Sequence, residues 1–194
     1  MIKRLLFAII PALFLLACNQ AGSDKSSNDR STLSADEQAF MNNLESLCGK
    51  SFLGAEQYIK EGRESWAHKK FVMHVTKCDS NRVYIPFHLD EDHSRTWMFM
   101  VDEKGLRFRH DHRHEDGTPE DLTLYGGYAD GTGNAFVQHF PADDFTMEML
   151  ADSNSRKWNI ILAEDMTSFT YELEFQGELV FSAKFDLTNP VDVK

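Results

Sequence analysis

From residue 50 onward the chain repeats one device: short runs in which apolar and polar residues take turns, cut by Gly, Asp, Asn and Pro. Side chains on an extended strand alternate between two faces, so period-two runs of this length build sheets rather than helices. The runs fall at residue 52 and over 70–77, 82–89, 96–102, 106–114, 122–128, 135–140, 158–163, 169–175 and 178–187. That spacing predicts an all-β antiparallel meander. The last pair is the clearest: Phe169, Tyr171, Leu173 and Phe175 share a face, a Gln176-Gly177 turn follows, and Leu179, Phe181, Ala183, Phe185 and Leu187 repeat it. Glu103, Lys104 and Gly105 read as a three-residue hairpin loop with a bulge.

The run at 106–114 carries the most information. Leu106, Phe108, His110, His112 and His114 share one side, with Arg107, Arg109, Asp111 and Arg113 on the other. One face starts apolar and ends in imidazoles, as a barrel strand would if its inner side ran from a packed floor to a polar mouth, leaving the charged face in water. About nine sequential strands without an internal repeat, taken as one domain over 36–194, close most economically into a barrel, because closure removes unpaired edges. At eight or more strands such an interior holds a small ligand. The inward aromatic and Met positions Phe71, Met73, Phe87, Phe99, Phe108, Phe169, Tyr171 and Phe181 are the expected lining for a small apolar or amphiphilic molecule.

Two segments break the strand pattern. Ser34 with Glu37 forms a capping box, and Phe40, Met41, Leu44, Leu47 and Cys48 then lie on one helical stripe stopped by Gly49, predicting a helix over 35–48. Phe145 and Met149 behind Asp143 and Asp144 predict a short helix near 142–150, and Pro119 after Thr118 suggests one further turn. Trp97, Phe99 and Val101 oppose Met98 and Met100, so the strand at 96–102 is apolar on both faces and needs an outer cover. Gly126, Gly127, Gly131 and Gly133 read as a mobile hairpin loop.

Consecutive histidines of the 110–114 run lie ~6.6 Å apart, close enough for His110 and His112 to converge on one ion, whereas His110 and His114 are too far apart. A mononuclear Zn²⁺ or similar site would therefore take its third ligand from His74, His88 or His139. A metal-dependent enzyme or metal-binding protein is thus the alternative to a carrier, and a non-catalytic structural or interaction role is a third. For nucleophilic catalysis the sequence makes no case: Ser94 beside His93 and Ser168 near Asp165 lack a Gly-x-Ser-x-Gly elbow. Arg107, Arg109 and Arg113 form either an anion-binding strip or a row of ion pairs.

The first seventeen residues lie apart from the fold. Lys3 and Arg4 precede an apolar run over 5–16, and Leu15, Leu16, Ala17 and Cys18 close it. This resembles a bacterial lipoprotein signal with its lipobox. The resemblance implies cleavage of 1–17 and lipidation of Cys18 with a diacylglyceryl group and usually an acyl chain such as palmitate. It also implies a bilayer anchor in the cell envelope, with Asn19 favouring the outer membrane facing the periplasm. Residues 18–35, rich in Ser, Asn, Gly and Asp, read as a tether. Loss of Lys3 and Arg4 would make the formal charge more negative than −11, a field that repels phosphate backbones, so a nucleic-acid partner is not expected. In an oxidising compartment Cys48 and Cys78 are expected to form a disulfide. The oligomeric state is not legible.

The strand count and order resemble lipocalin-like and other calycin barrels in topology only; the Gly-x-Trp of the first lipocalin strand is absent, and Gly49, Lys50, Ser51, Phe52 and Gly54 stand in its approximate place. The phrases at 110–120, 125–127, 140–143 and 185–191 together resemble a group of uncharacterised bacterial secreted proteins. That likeness implies no activity.

Overall fold

The computed structural model describes residues 29–62, 64–150 and 155–192. The expected signal segment, Cys18 and most of the expected tether, residues 1–28, lie outside the described residues. Helix α1 (Ala35–Glu45) leads into β1 (Ser51–Ile59), β2 (Phe71–His74), β3 (Thr76–Asp79), β4 (Arg82–Leu89), β5 (Asp92–Asp102), β6 (Gly105–His112) and β7 (Tyr125–Tyr128). The chain continues through β8 (Val137–Pro141), helix α2 (Asp144–Met149), β9 (Arg156–Leu162), β10 (Ser168–Phe175) and β11 (Glu178–Asp186).

All strand pairs are antiparallel, in the order β7-β6-β5-β4-β2-β1-β11-β10-β9-β8, with β3 beside β4. The meander is therefore nearly a closed barrel. Its two ends meet at a seam: the Asp143 amide donates to the Gly126 carbonyl at 3.1 Å and the Asp130 amide to the His139 carbonyl at 3.0 Å. The backbones approach so closely there that a β-carbon on Gly127 would sit 1.7 Å from the Pro141 carbonyl oxygen. Gly126 and Gly127 thus belong to strand β7 and close the barrel, correcting their reading as part of a mobile loop; the constraint is side-chain volume, not turn chemistry. Thr146 of α2 clamps the same point, its buried hydroxyl donating to the Gly126 carbonyl and accepting from the Gly126 amide at 2.7 Å each.

Helix α1 starts on the expected capping box, with the Glu37 amide donating to Ser34 Oγ and the Ser34 amide to the Glu37 carboxylate. Its helical part stops at Glu45, three residues before the sequence stripe ends, and turns lead to Gly49, whose amide bonds the Val75 carbonyl at 2.9 Å. Phe40, Met41 and Leu44 point into the barrel and fill its floor. Cys48 and Cys78 are joined, their Cα atoms 6.1 Å apart, tying the end of α1 to β3. Residues 29–35, assigned to the tether by composition, lie on the barrel instead: Asp29–Thr32 form a 3₁₀ turn, and Arg30 bonds Asn42, Glu45 and the Ser80 carbonyl. An arginine with three partners on the folded domain outweighs the polar composition around it.

The last hairpin has the predicted facing, Phe169 opposite Phe185 and Tyr171 opposite Ala183, up to a bulge at Leu173/Glu174. Gln176 and Gly177 have φ of 55° and 77°, the left-handed pair of a tight hairpin turn. The β5–β6 hairpin is tighter than expected, since Asp102 pairs with Gly105 across Glu103 and Lys104 alone. No helical turn forms at Pro119; the chain doubles back after β6, with Arg113 bridging Pro119 and the Glu120 amide reaching the His112 carbonyl. The outward Met98 and Met100 are covered only in part: they line an open groove together with Phe145 of α2, Tyr128, Arg107 and Arg109.

Candidate functional site

Strand β6 lies between β5 and β7, His110 opposite Trp97 on one side and Tyr125 on the other. Its inward face runs Leu106, Phe108, His110, His112, the first three buried and the fourth half-buried, and it climbs from floor to mouth. The floor is aromatic. Phe40 of α1 meets Phe99 edge-on, Phe99 stacks on Phe108, and Phe140 packs on both. Above them Phe87, Trp97 and Tyr171 form a stack with centroids 4.5 and 4.8 Å apart.

His110 is the first polar side chain on this climb, and its surroundings satisfy it completely. Its Nδ1 lies 3.2 Å from the Tyr125 carbonyl and can only donate, so its Nε2, 3.0 Å from the Tyr171 hydroxyl, accepts. Burial pushes its pKa down to about 3; the bond to Tyr125 opposes that shift, and the charges of His112 and Arg109 add to it. One turn of the pleat higher, His112 Nε2 lies 3.0 Å from the Tyr125 hydroxyl and its Nδ1 3.9 Å from Glu120. Burial and then Arg95 lower the His112 pKa, against Glu120, Asp111 and Asp92. Burial raises Tyr125 to about 12 and holds Tyr171 well above the phenol range. Near neutral pH the relay is therefore uncharged: two imidazoles and two phenols that exchange hydrogen bonds.

Above this relay the barrel opens into a cleft of about 740 Å³, lined by Trp66, Leu122, Leu150, Trp158, Leu173 and Phe181 on its apolar side and by His112, Glu120, Tyr125, Arg156 and Tyr171 on its polar side. Trp66 stands on the 3₁₀ turn Glu64–Trp66, edge-on to Phe181 at 5.0 Å, with the Arg95 guanidinium 5.5 Å above its ring. Leu122 is 51% exposed at the rim, an apolar side chain left to water where the cleft opens.

Of the eight inward positions expected to line a ligand site, Tyr171 and Phe181 reach the cleft. Phe71, Met73, Phe87, Phe99, Phe108 and Phe169 have no exposure and pack on one another as core. The space is at the mouth because aromatic rings fill the lower barrel. Alternation does not single out Trp66, Glu120, Leu150 or Arg156; Trp158 and Leu173 carried a signal, Trp158 sharing the inward face with Ile160 and Leu162 and Leu173 with Phe169 and Tyr171.

His110 and His112 share the inner side, as alternation requires, but each is held by its own tyrosine. His74, His88 and His139 cannot join them, because Met73, Phe87 and Phe140 beside them point inward and so place the three imidazoles on the outer wall. His139 Nδ1 pairs there with Asn159 at 2.8 Å, and His114 is exposed beyond the strand end. Among the described residues no three His, Cys, Asp or Glu side chains stand at metal-holding positions. The arginine row is made of ion pairs, Arg107 with Asp102, Arg109 with Asp143 and Arg113 with Asp111. Arg109 is buried under α2 rather than in water, between its carboxylate and the rings of Tyr128 and Phe145.

His74 and His88 meet on the outer wall. His74 Nε2 lies 3.0 Å from His88 Nδ1, its Nδ1 lies 2.8 Å from Ser51 Oγ, and His88 stacks on His93 with centroids 3.8 Å apart. Burial first, then the neighbouring imidazoles, lowers His88 to about 4.

Fold and site together define a class: an antiparallel β-barrel with a filled interior and an aromatic, histidine-bearing cleft at one mouth. The chain matches no protein-family model, no curated protein and no solved structure. Its likeness to calycin barrels is one of architecture.

Proposed function

We propose that this protein is a lipid-anchored binding module of the bacterial envelope, tethered through Cys18 to the outer membrane facing the periplasm, that takes one small amphiphilic molecule into the barrel mouth. The cleft carries this reading. Its volume of about 740 Å³ falls within the ~300–1,000 Å³ of small-molecule sites, and its position at a barrel mouth is one where such sites recur. An apolar body would lie on Trp66, Trp158, Leu122 and Phe181, while a polar head would meet His112, Tyr125, Glu120 and Arg156. Glu120 and Arg156 offer opposite charges at one rim, which suits a head that both donates and accepts. The anchor rests on the lipobox at 15–18.

The test uses the full chain purified in detergent, with 1-anilinonaphthalene-8-sulfonate as an amphiphilic probe. One molecule should bind per chain with quenching of tryptophan fluorescence. Trp66→Ala and Leu122→Ser should each weaken binding by about tenfold, the loss expected for an apolar contact worth ~1.4 kcal/mol. Binding that ignores both substitutions, or no binding, removes the reading. Separately, Cys18→Ser should move the protein from the membrane fraction to the soluble one.

A further inference from the structure

We propose a second site, on the outer wall of the barrel and independent of the mouth cleft: His74 and His88 chelate one divalent transition metal ion, Cu(II) foremost, with His93 as the third imidazole. Strands β2 and β4 pair with Val72 opposite His88, so His74 and His88 are diagonal neighbours on the outer face. Their facing nitrogens are 3.0 Å apart. Two nitrogens bound cis to one ion at ~2.0–2.1 Å are separated by about 2.9 Å in the tetragonal geometry of Cu(II) and about 3.3 Å in a tetrahedral one, so the spacing already fits and tilting each ring by about 40° aims both lone pairs at one ion. The proton now shared between them is what the metal replaces.

A second observation points the same way. His74 presents Nε2 to His88 and turns its other nitrogen to Ser51 Oγ, 2.8 Å away. A ligating histidine characteristically gives its remaining N–H to an oxygen that fixes the ring, and Ser51 occupies that place. His93 stacks on His88 at 3.8 Å and is exposed, which makes it the imidazole best placed to swing toward the pair when an ion binds. The neighbouring carboxylates are engaged elsewhere: Asp92 with Arg95 and the Ser94 amide, Asp90 with the Lys70 amide and near Lys69. Lys50 lines the same shallow groove of about 400 Å³. Imidazole donors without carboxylates select Cu(II), Ni(II) or Zn(II) over harder ions, and among these Cu(II) binds nitrogen most tightly.

The experiment titrates the full chain in detergent with Cu(II) alone. One equivalent should bind with the EPR nitrogen pattern of at least two imidazoles. His74→Gln and His88→Gln should each weaken binding by about tenfold or more and abolish that pattern, and Ser51→Ala should weaken it by about tenfold. His114→Ala should change neither. Independently of any variant, substoichiometric Cu(II) should broaden the ring signals of His74, His88 and His93 before those of His110 and His112. An unchanged imidazole pattern in the double His74→Gln, His88→Gln variant overturns the assignment. So does broadening that begins at His110, or the absence of stoichiometric uptake.

Discussion

His110 shows how much one residue's surroundings change its chemistry. In an open chain its imidazole titrates near 6.5, whereas the barrel lowers it to about 3. The unfolded state therefore binds a proton across a pH range in which the folded state does not, and the linked stability is complete above about 6.5 and lost progressively as pH falls toward 3. Chemical denaturation at pH 7 and pH 4.5 should show a loss of order a few kcal/mol, shared with His88, which is lowered to about 4 and half-buried. His110→Gln should cost stability at pH 7 yet flatten the decline between pH 7 and 4.5. A decline unchanged by that substitution would show that His110 is not its source. The same residue illustrates what alternation conveys: the inward direction of its side chain is local geometry, but its acceptance of the Tyr171 hydroxyl depends on a strand 61 residues away.

At the scale of elements, the seam and the disulfide carry the least replaceable contacts. Strands β7 and β8 approach so closely at Gly127 that alanine there must push Pro141 away, breaking the bond from the Asp143 amide to Gly126. Gly127→Ala should cost about 3 kcal/mol, at the upper end for overpacking, and hydrogen exchange should locate the loss at the Asp143 and Asp130 amides rather than at the distant β10–β11 hairpin. The Cys48–Cys78 link closes a loop across a sequence separation of 30, worth about 3.5 kcal/mol in the chain-entropy model. Denaturation of the reduced protein should fall short of the oxidised form by roughly that amount. The capping box of α1 and the last hairpin were legible because each is written in neighbouring residues. The early end of α1, the inclusion of residues 29–35 and the strand role of Gly126 and Gly127 were not, because each depends on a partner distant in sequence, respectively Val75, Ser80 with Asn42, and Pro141.

For the whole molecule, most strands pair with their sequence neighbours, but β1 also pairs with β11 at the far end of the chain, and more than half of the close residue pairs are separated by twelve or more positions. That topology places the folding rate among slow, non-local β proteins, in the millisecond-to-second range. It also decides what the interior can do. Large aromatic side chains at Phe40, Phe87, Phe99, Phe108 and Phe140 fill the lower barrel, and the cleft lies above His110, so binding is expected at a rim and not in an enclosed calyx. The sequence by itself determined the inward faces of β5, β6 and β10, the capped helix, the pairing of the two cysteines and the apolar-to-imidazole gradient of β6. All follow from backbone periodicity, local hydrogen bonding or a count of thiols. Only the tertiary structure decided that His110 faces Tyr171, that His112 faces Tyr125, that His74 meets His88, and that Trp66 and Glu120 share one cleft. These neighbours are set by strand register and by the closing of the sheet on itself, which bring together residues whose separation along the chain says nothing of their distance in space.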